Sequence, residues 1–99
     1  MSIMADKKAE SEALASGTER LGARVMHSLA ILVGCPAEGV TGLRRNDDGW
    51  ILTVEVLEVE RVPETTDVLA SYEVEADRDG GIISFERRRR YLRAETEGV

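Results

Sequence analysis

Five arginines crowd one short stretch near the end of this 99-residue sequence: Arg87, Arg88, Arg89, Arg90 and Arg93. The whole chain carries 13 bases and 19 acids. Five of those bases and one acid, Glu86, lie in residues 86–93, which therefore sum to +4. Two acids follow, so the remaining 8 bases and 16 acids give residues 1–85 a charge of −8. A planar guanidinium binds carboxylates through paired hydrogen bonds, so the run could dock an acidic partner. It could also form a lattice with Glu58, Glu60 and Glu73, adding solubility and blunting a sheet edge. Phosphate is a third candidate ligand. The net charge of −6 opposes it, because nucleic-acid binding draws on a positive surface that displaces counterions. Aromatics also fail to interleave usefully with the arginines as a stacking platform would require.

Other residue types offer less. His27 and Cys35 are the only histidine and cysteine, and a helix end falls between them at Gly34. A nucleophile and its base must come within hydrogen-bond reach, which this spacing does not provide for. Zinc would want several Cys or His in spaced pairs. The acids Glu55, Glu58, Glu60, Glu73, Glu75 and Asp77 sit on expected strands. They read as a solvated sheet face, since acid–base catalysis needs a cleft that shifts one pKa. Neither acidic turn has the twelve-residue calcium-loop pattern. Gly39, Gly42 and Gly49 form no phosphate loop; the first two mark a bent or closely approached edge strand. The expectation is a non-enzyme with no catalytic residue, no metal and no cofactor, whose candidate partner-binding residues are Arg87, Arg88, Arg89, Arg90 and Arg93.

The elements that must position these residues follow from hydrophobic spacing. Leu21, Val25, Leu29 and Leu32 recur at four, four and three, predicting a helix over 18–33 with one apolar stripe. Ser16 and Glu19 have capping-box spacing, Gly34 suits the helix end, and Pro36 blocks continuation. Four strands follow, at 39–46, 49–60, 68–77 and 82–92. Asp48-Gly49 and Asp79-Gly80 predict two-residue hairpin turns. Those turns would set Leu43 opposite Val54, Arg45 opposite Leu52, Ala76 opposite Ile83 and Val74 opposite Phe85. Trp50, Leu52, Val54 and Val56 share the inward face, with Trp50 expected to be largely buried and its indole N–H bonded. The alternation slips after Val56, predicting a bulge near Val56-Leu57. In the last strand, strict alternation sends Arg87 and Arg89 toward the helix and Arg88 and Arg90 outward.

The expected fold class is α+β: an N-terminal helix packed on a four-stranded antiparallel sheet made of two β-hairpins. Residues 18–93 form the single domain, after a flexible lead-in at 1–17 and before a tail at 94–99. The lone cysteine excludes an intrachain disulfide, no apolar run reaches membrane-span length, and residues 1–8 lack the pattern of a secretory signal. A cytoplasmic location is expected.

The pieces Glu38-Gly39-Val40-Thr41-Gly42, Asp48-Gly49-Trp50, Val54-Glu55-Val56-Leu57-Glu58 and Arg61-Val62-Pro63 follow one another in a familiar order. So do Asp67-Val68-Leu69-Ala70-Ser71-Tyr72-Glu73-Val74 and the run Arg87 to Arg90 with Tyr91 and Arg93. Over about residues 37–93 the chain resembles the gas vesicle protein O family. The resemblance implies an accessory protein of gas vesicle formation, a non-enzyme that binds other gas vesicle proteins in the cytoplasm or on the vesicle. It implies no small-molecule substrate and no membrane partner. The alternative is a regulator of gas vesicle gene expression that binds nucleic acid through Arg87–Arg93. Oligomeric state is left open.

Overall fold

A computed structural model describes residues 17–97. The 1–16 part of the expected lead-in, with the Ser16 member of the capping box, lies outside the described residues. Helix α1 spans Gly17–Val33. Its Leu21, Val25 and Leu29 are buried. Gly34 ends it with φ +72°, a left-handed conformation that side chains resist. The Gly34 and Cys35 N–H groups both donate to the Ala30 carbonyl, at 2.9 and 3.2 Å, which satisfies a carbonyl the helix end would orphan.

Four strands follow: β1 Ala37–Arg45, β2 Gly49–Val59, β3 Val68–Asp77 and β4 Ile82–Leu92. They pair antiparallel in the order β1-β2-β3-β4, so the two hairpins join along β2 and β3 into one meander. A 3₁₀ turn at Glu64–Thr66 lies in the β2–β3 crossing, and a short helix α2, Arg93–Glu97, occupies most of the expected tail. The core is the helix stripe set on one sheet face: Val25 and Leu29 against Leu52, Val54, Val56, Ala70, Val74 and Ala76. Each is fully excluded from water, and burial of this kind is the main favourable term in folding.

Several local expectations are corrected. The first hairpin pairs Leu43 with Leu52 and Arg45 with Trp50, two residues away from the expected register. A shift of two keeps every side chain on its face, so the apolar match survives. The cause is the turn. Asn46 Oδ1 accepts the Asp48 N–H at 3.2 Å and the Asn46 N–H donates to the Gly49 carbonyl at 3.0 Å, so Gly49 belongs to the strand and not to the loop. In the second turn only Gly80 has positive φ, at +90°. Its N–H donates to the Asp77 carbonyl, and the Asp77 N–H donates to the Gly81 carbonyl. This is a three-residue loop closed by a left-handed glycine. Val74 faces Phe85 as expected, but Ala76 faces Ile82 and Ile83 is the extra residue.

The β2 irregularity lies between Leu57 and Val59, slightly beyond the expected position. Trp50 is half-buried against the core, with the Arg45 guanidinium 5.2 Å from its ring centroid. Leu32, placed on the buried stripe by spacing, is 56% exposed. Edge strand β1 breaks register between Ala37 and Gly39 and between Val40 and Gly42, the bend its glycines suggested.

Candidate protein-interaction surface

The arginine run occupies edge strand β4, where residues 83–90 are all exposed. Its faces are not those of strict alternation. Arg90 registers with Ala70, Arg89 with Ser71, and Arg87 with Tyr72, which leaves Arg88 as an extra residue without a partner of its own. A bulge at Arg88 therefore reverses the parity between the two halves of the run. Arg87 and Arg90 share the helix-side face, while Arg89 stands on the open face. The pairing of Arg88 and Arg90 on one outward surface is thus corrected.

On the helix side, Glu58 lies between two guanidiniums. Its Oε2 is 3.2 Å from Arg87 Nη1 and its Oε1 is 2.7 Å from Arg90 Nε. The Glu58 side chain is only 13% exposed, and the β2 bulge brings it there. Burial, followed by the Glu58 charge, raises the pKa of the neighbouring Tyr72 phenol. Elsewhere, Arg88 reaches Glu73 at 3.8 Å and Glu86 at 3.4 Å. The acid–arginine lattice therefore forms around Glu58 and Glu73, and Glu60 takes no part in these pairs.

Arg93 stands apart. Its Nη2 is 2.7 Å from Glu38 Oε2 and its Nε is 3.2 Å from Asp67 Oδ2. Its N–H donates to the Asp67 carbonyl at 3.0 Å, and Asp67 Oδ1 accepts the Arg61 N–H at 2.7 Å. Asp67 is buried, so Arg93 clamps β1, the β2–β3 crossing and α2 together. The Glu38 bond comes first among the causes that raise its pKa and hold it cationic. Of the five arginines, four line β4 on two faces and the fifth is an internal tie.

The open face holds a cluster that sequence spacing did not reveal. Glu55 accepts hydrogen bonds from the hydroxyls of Tyr91, Ser71 and Thr41, the last at 2.8 Å. Arg89 lies 4.5 Å above the Tyr91 ring, and the cluster lines a shallow hollow of about 300 Å³. The three donors come from β4, β3 and β1, so only the register brings them onto one carboxylate. A wider groove of about 570 Å³ runs between α1 and β1, past Gly22, Met26, Val40 and Leu43. His27 is exposed on α1, while Cys35 is half-buried with its thiol 3.7 Å from the Val33 carbonyl. Among the described residues no group of three or more His, Cys, Asp or Glu could hold a metal, and no helix is long and apolar enough to cross a membrane.

A family model described as "Gas vesicle synthesis protein GvpO" matches residues 4–97. A "Gas vesicle protein O" from Streptomyces sp. (strain CB03234) is 51% identical over 69 residues, 70% of this chain and 54% of the relative. A "Gas vesicle protein O1" from Halobacterium salinarum is 38% identical over 58 residues, 59% of this chain and 49% of the relative. A "Gas vesicle protein O" from Haloferax mediterranei is 38% identical over 50 residues, 50% of this chain and 36% of the relative. The chain spans about half the length of the first two. No solved structure matches it.

Proposed function

The chain belongs to the gas vesicle protein O family, and from that premise we propose that it is a non-catalytic accessory protein of gas vesicle formation, which binds other gas vesicle proteins during assembly. The observation that carries the binding mode is the exposed arginine row of β4 on a chain whose net charge is −6. Arg87 and Arg90 share one carboxylate, so guanidinium donors remain for a second acidic group. The Arg88 pairs with Glu73 and Glu86 are exposed, and such pairs contribute only ~0–1 kcal/mol each to stability. Charge complementarity, by contrast, raises association rates and rejects wrong partners. The partner class is an acidic protein surface met in the cytoplasm or on the vesicle, with no small-molecule substrate.

The test is capture from cells that make gas vesicles, with the full chain as bait and the recovered proteins identified by mass. Gas vesicle proteins should be recovered with and without nuclease, and recovery should weaken as salt rises. The variant Arg87→Glu/Arg88→Glu/Arg89→Glu/Arg90→Glu should remain folded and recover none. A nuclease-sensitive complex would instead favour the regulatory, nucleic-acid reading. Undiminished capture by the charge-reversed variant would remove the arginine row from the binding surface.

A further inference from the structure

Helix α1 lies to one side of the sheet. One flank faces β1: a Cβ added to Gly22 would sit 3.6 Å from Val40 Cγ2. The opposite flank faces the β3–β4 turn. Leu21 Cδ1 lies 3.0 Å from where a Cβ on Gly80 would be, and Arg24 Nη1 donates to the Asp79 carbonyl at 2.6 Å. Leu32 follows Leu21 by eleven residues, about three helical turns, and so occupies the same flank. Yet Leu21 is buried and Leu32 is mostly exposed, because Leu21 meets the turn and Leu32 lies beyond it. The helix-side face of β4, bordered by Tyr72 of β3, continues beyond that flank. Tyr72 and Phe85 sit there with ring centroids 6.2 Å apart, and Phe85 is 41% exposed. Arg87 and Arg90 follow along the same face, holding Glu58.

We propose that this trough seats an amphipathic, acidic helix of a partner protein, lying beside α1 along β4 with its apolar side on Leu32 and Phe85 and its carboxylates toward Arg87 and Arg90. The proposal rests on the protein-binding reading above and names the occupant's chemistry. Packed helices sit about 8–10 Å apart, so a second helix beside α1 would cover β4 and the Tyr72 edge of β3, while α1 already buries Ala70, Val74 and Ala76 of β3. Its charge follows from two arginines sharing one carboxylate, which leaves the trough's end net positive. An added strand is disfavoured, because β4 is interrupted at Ile83 and Arg88 and β1 is interrupted twice, and bulged edges oppose strand addition. A second copy offers no suitable helix among the described residues: the apolar stripe of α1 is already buried, and α2 has five residues.

The experiment is photo-cross-linking with p-benzoylphenylalanine substituted for Phe85 in the full chain, in cells making gas vesicles. The cross-linked peptide should come from a gas vesicle protein and carry helical apolar spacing with net negative charge. A cross-link to a second copy, to residues 1–16, or to a basic or strand-patterned segment would overturn the proposal. As a second measurement, Leu32→Gln/Phe85→Gln should keep the wild-type circular dichroism and melt while losing at least tenfold in partner capture; full capture by this folded variant would also overturn it. If wild-type capture persists but no cross-link forms from position 85, the trough alone is rejected. If capture itself fails, the binding reading falls with it.

Discussion

The Tyr91 hydroxyl donates to Glu55 on the open sheet face, and burial, then this bond, push its phenol up to about 12. An unfolded tyrosine ionises near pH ~10. The folded value is the higher one, so its contribution to stability is complete below about pH 10 and is lost as pH rises toward about 12. Alkaline titration by phenolate absorbance should therefore show one tyrosine ionising at a pH of about 12, and that step should be absent in Tyr91→Phe. That variant should also lose ~0.5–1.5 kcal/mol in urea unfolding, the usual net value of one hydrogen bond. Glu58 gives a second prediction at this scale. It is the shared anion of Arg87 and Arg90. Glu58→Gln should destabilise by only ~1 kcal/mol, because both arginines are about half exposed and can turn to water. A loss several-fold larger would mean that the pair is structurally essential.

At the scale of elements, the bulge at Arg88 decides which face each later residue of β4 takes. Deleting Arg88 should leave Arg87 against Tyr72 and Arg89 against Ser71, since it removes the one residue the register skips. The expected change is under ~1 kcal/mol, limited to its exposed ion pairs. Cross-strand NOEs, with retention of the Tyr91–Glu55 contact, would check it. If the strand were regular, the deletion would invert every side chain after position 87 and expel Tyr91 from its site. Gly49 supplies a contrasting case. A Cβ there would collide with the Ala76 carbonyl oxygen, a backbone atom of the central strand pair. Gly49→Ala should therefore cost ~1–3 kcal/mol or more through forced backbone shifts, measurable as a lower denaturant midpoint.

At the scale of the whole molecule, one face of the helix covers about half of one sheet face, and both edges are bulged. Stability should accordingly reside in the α1–β2–β3 core. Leu29→Ala should cost ~2–5 kcal/mol, a large share of the ~5–15 kcal/mol typical of a domain this size. Leu32→Ala, three residues further along what looks like the same stripe, should change stability by under ~0.5 kcal/mol. Thermal melts of the two variants side by side would separate the buried flank from the open one. The same asymmetry leaves the surfaces free for association on the faces of the sheet and not on its edges.

Much of this was determined by local spacing. The 3.6-residue stripe of Leu21, Val25 and Leu29 and the two-residue alternation of β2 and β3 each specify an element, and the acidic-glycine pairs locate the turns, because these patterns act over a few neighbouring residues. Local pattern could not place what depends on distant partners. Turn type was decided by side-chain and backbone bonds at Asn46 and Asp77, which moved the first register by two and made Ile83 an extra residue. The faces of the arginine run were decided by a bulge that no alternation of four identical residues can reveal. The Asp67–Arg93 clamp joins residues 26 apart, and the Glu55 cluster gathers three strands. Composition set the arginines' charge; only the tertiary register decided which acid each one meets and which side of the sheet it serves.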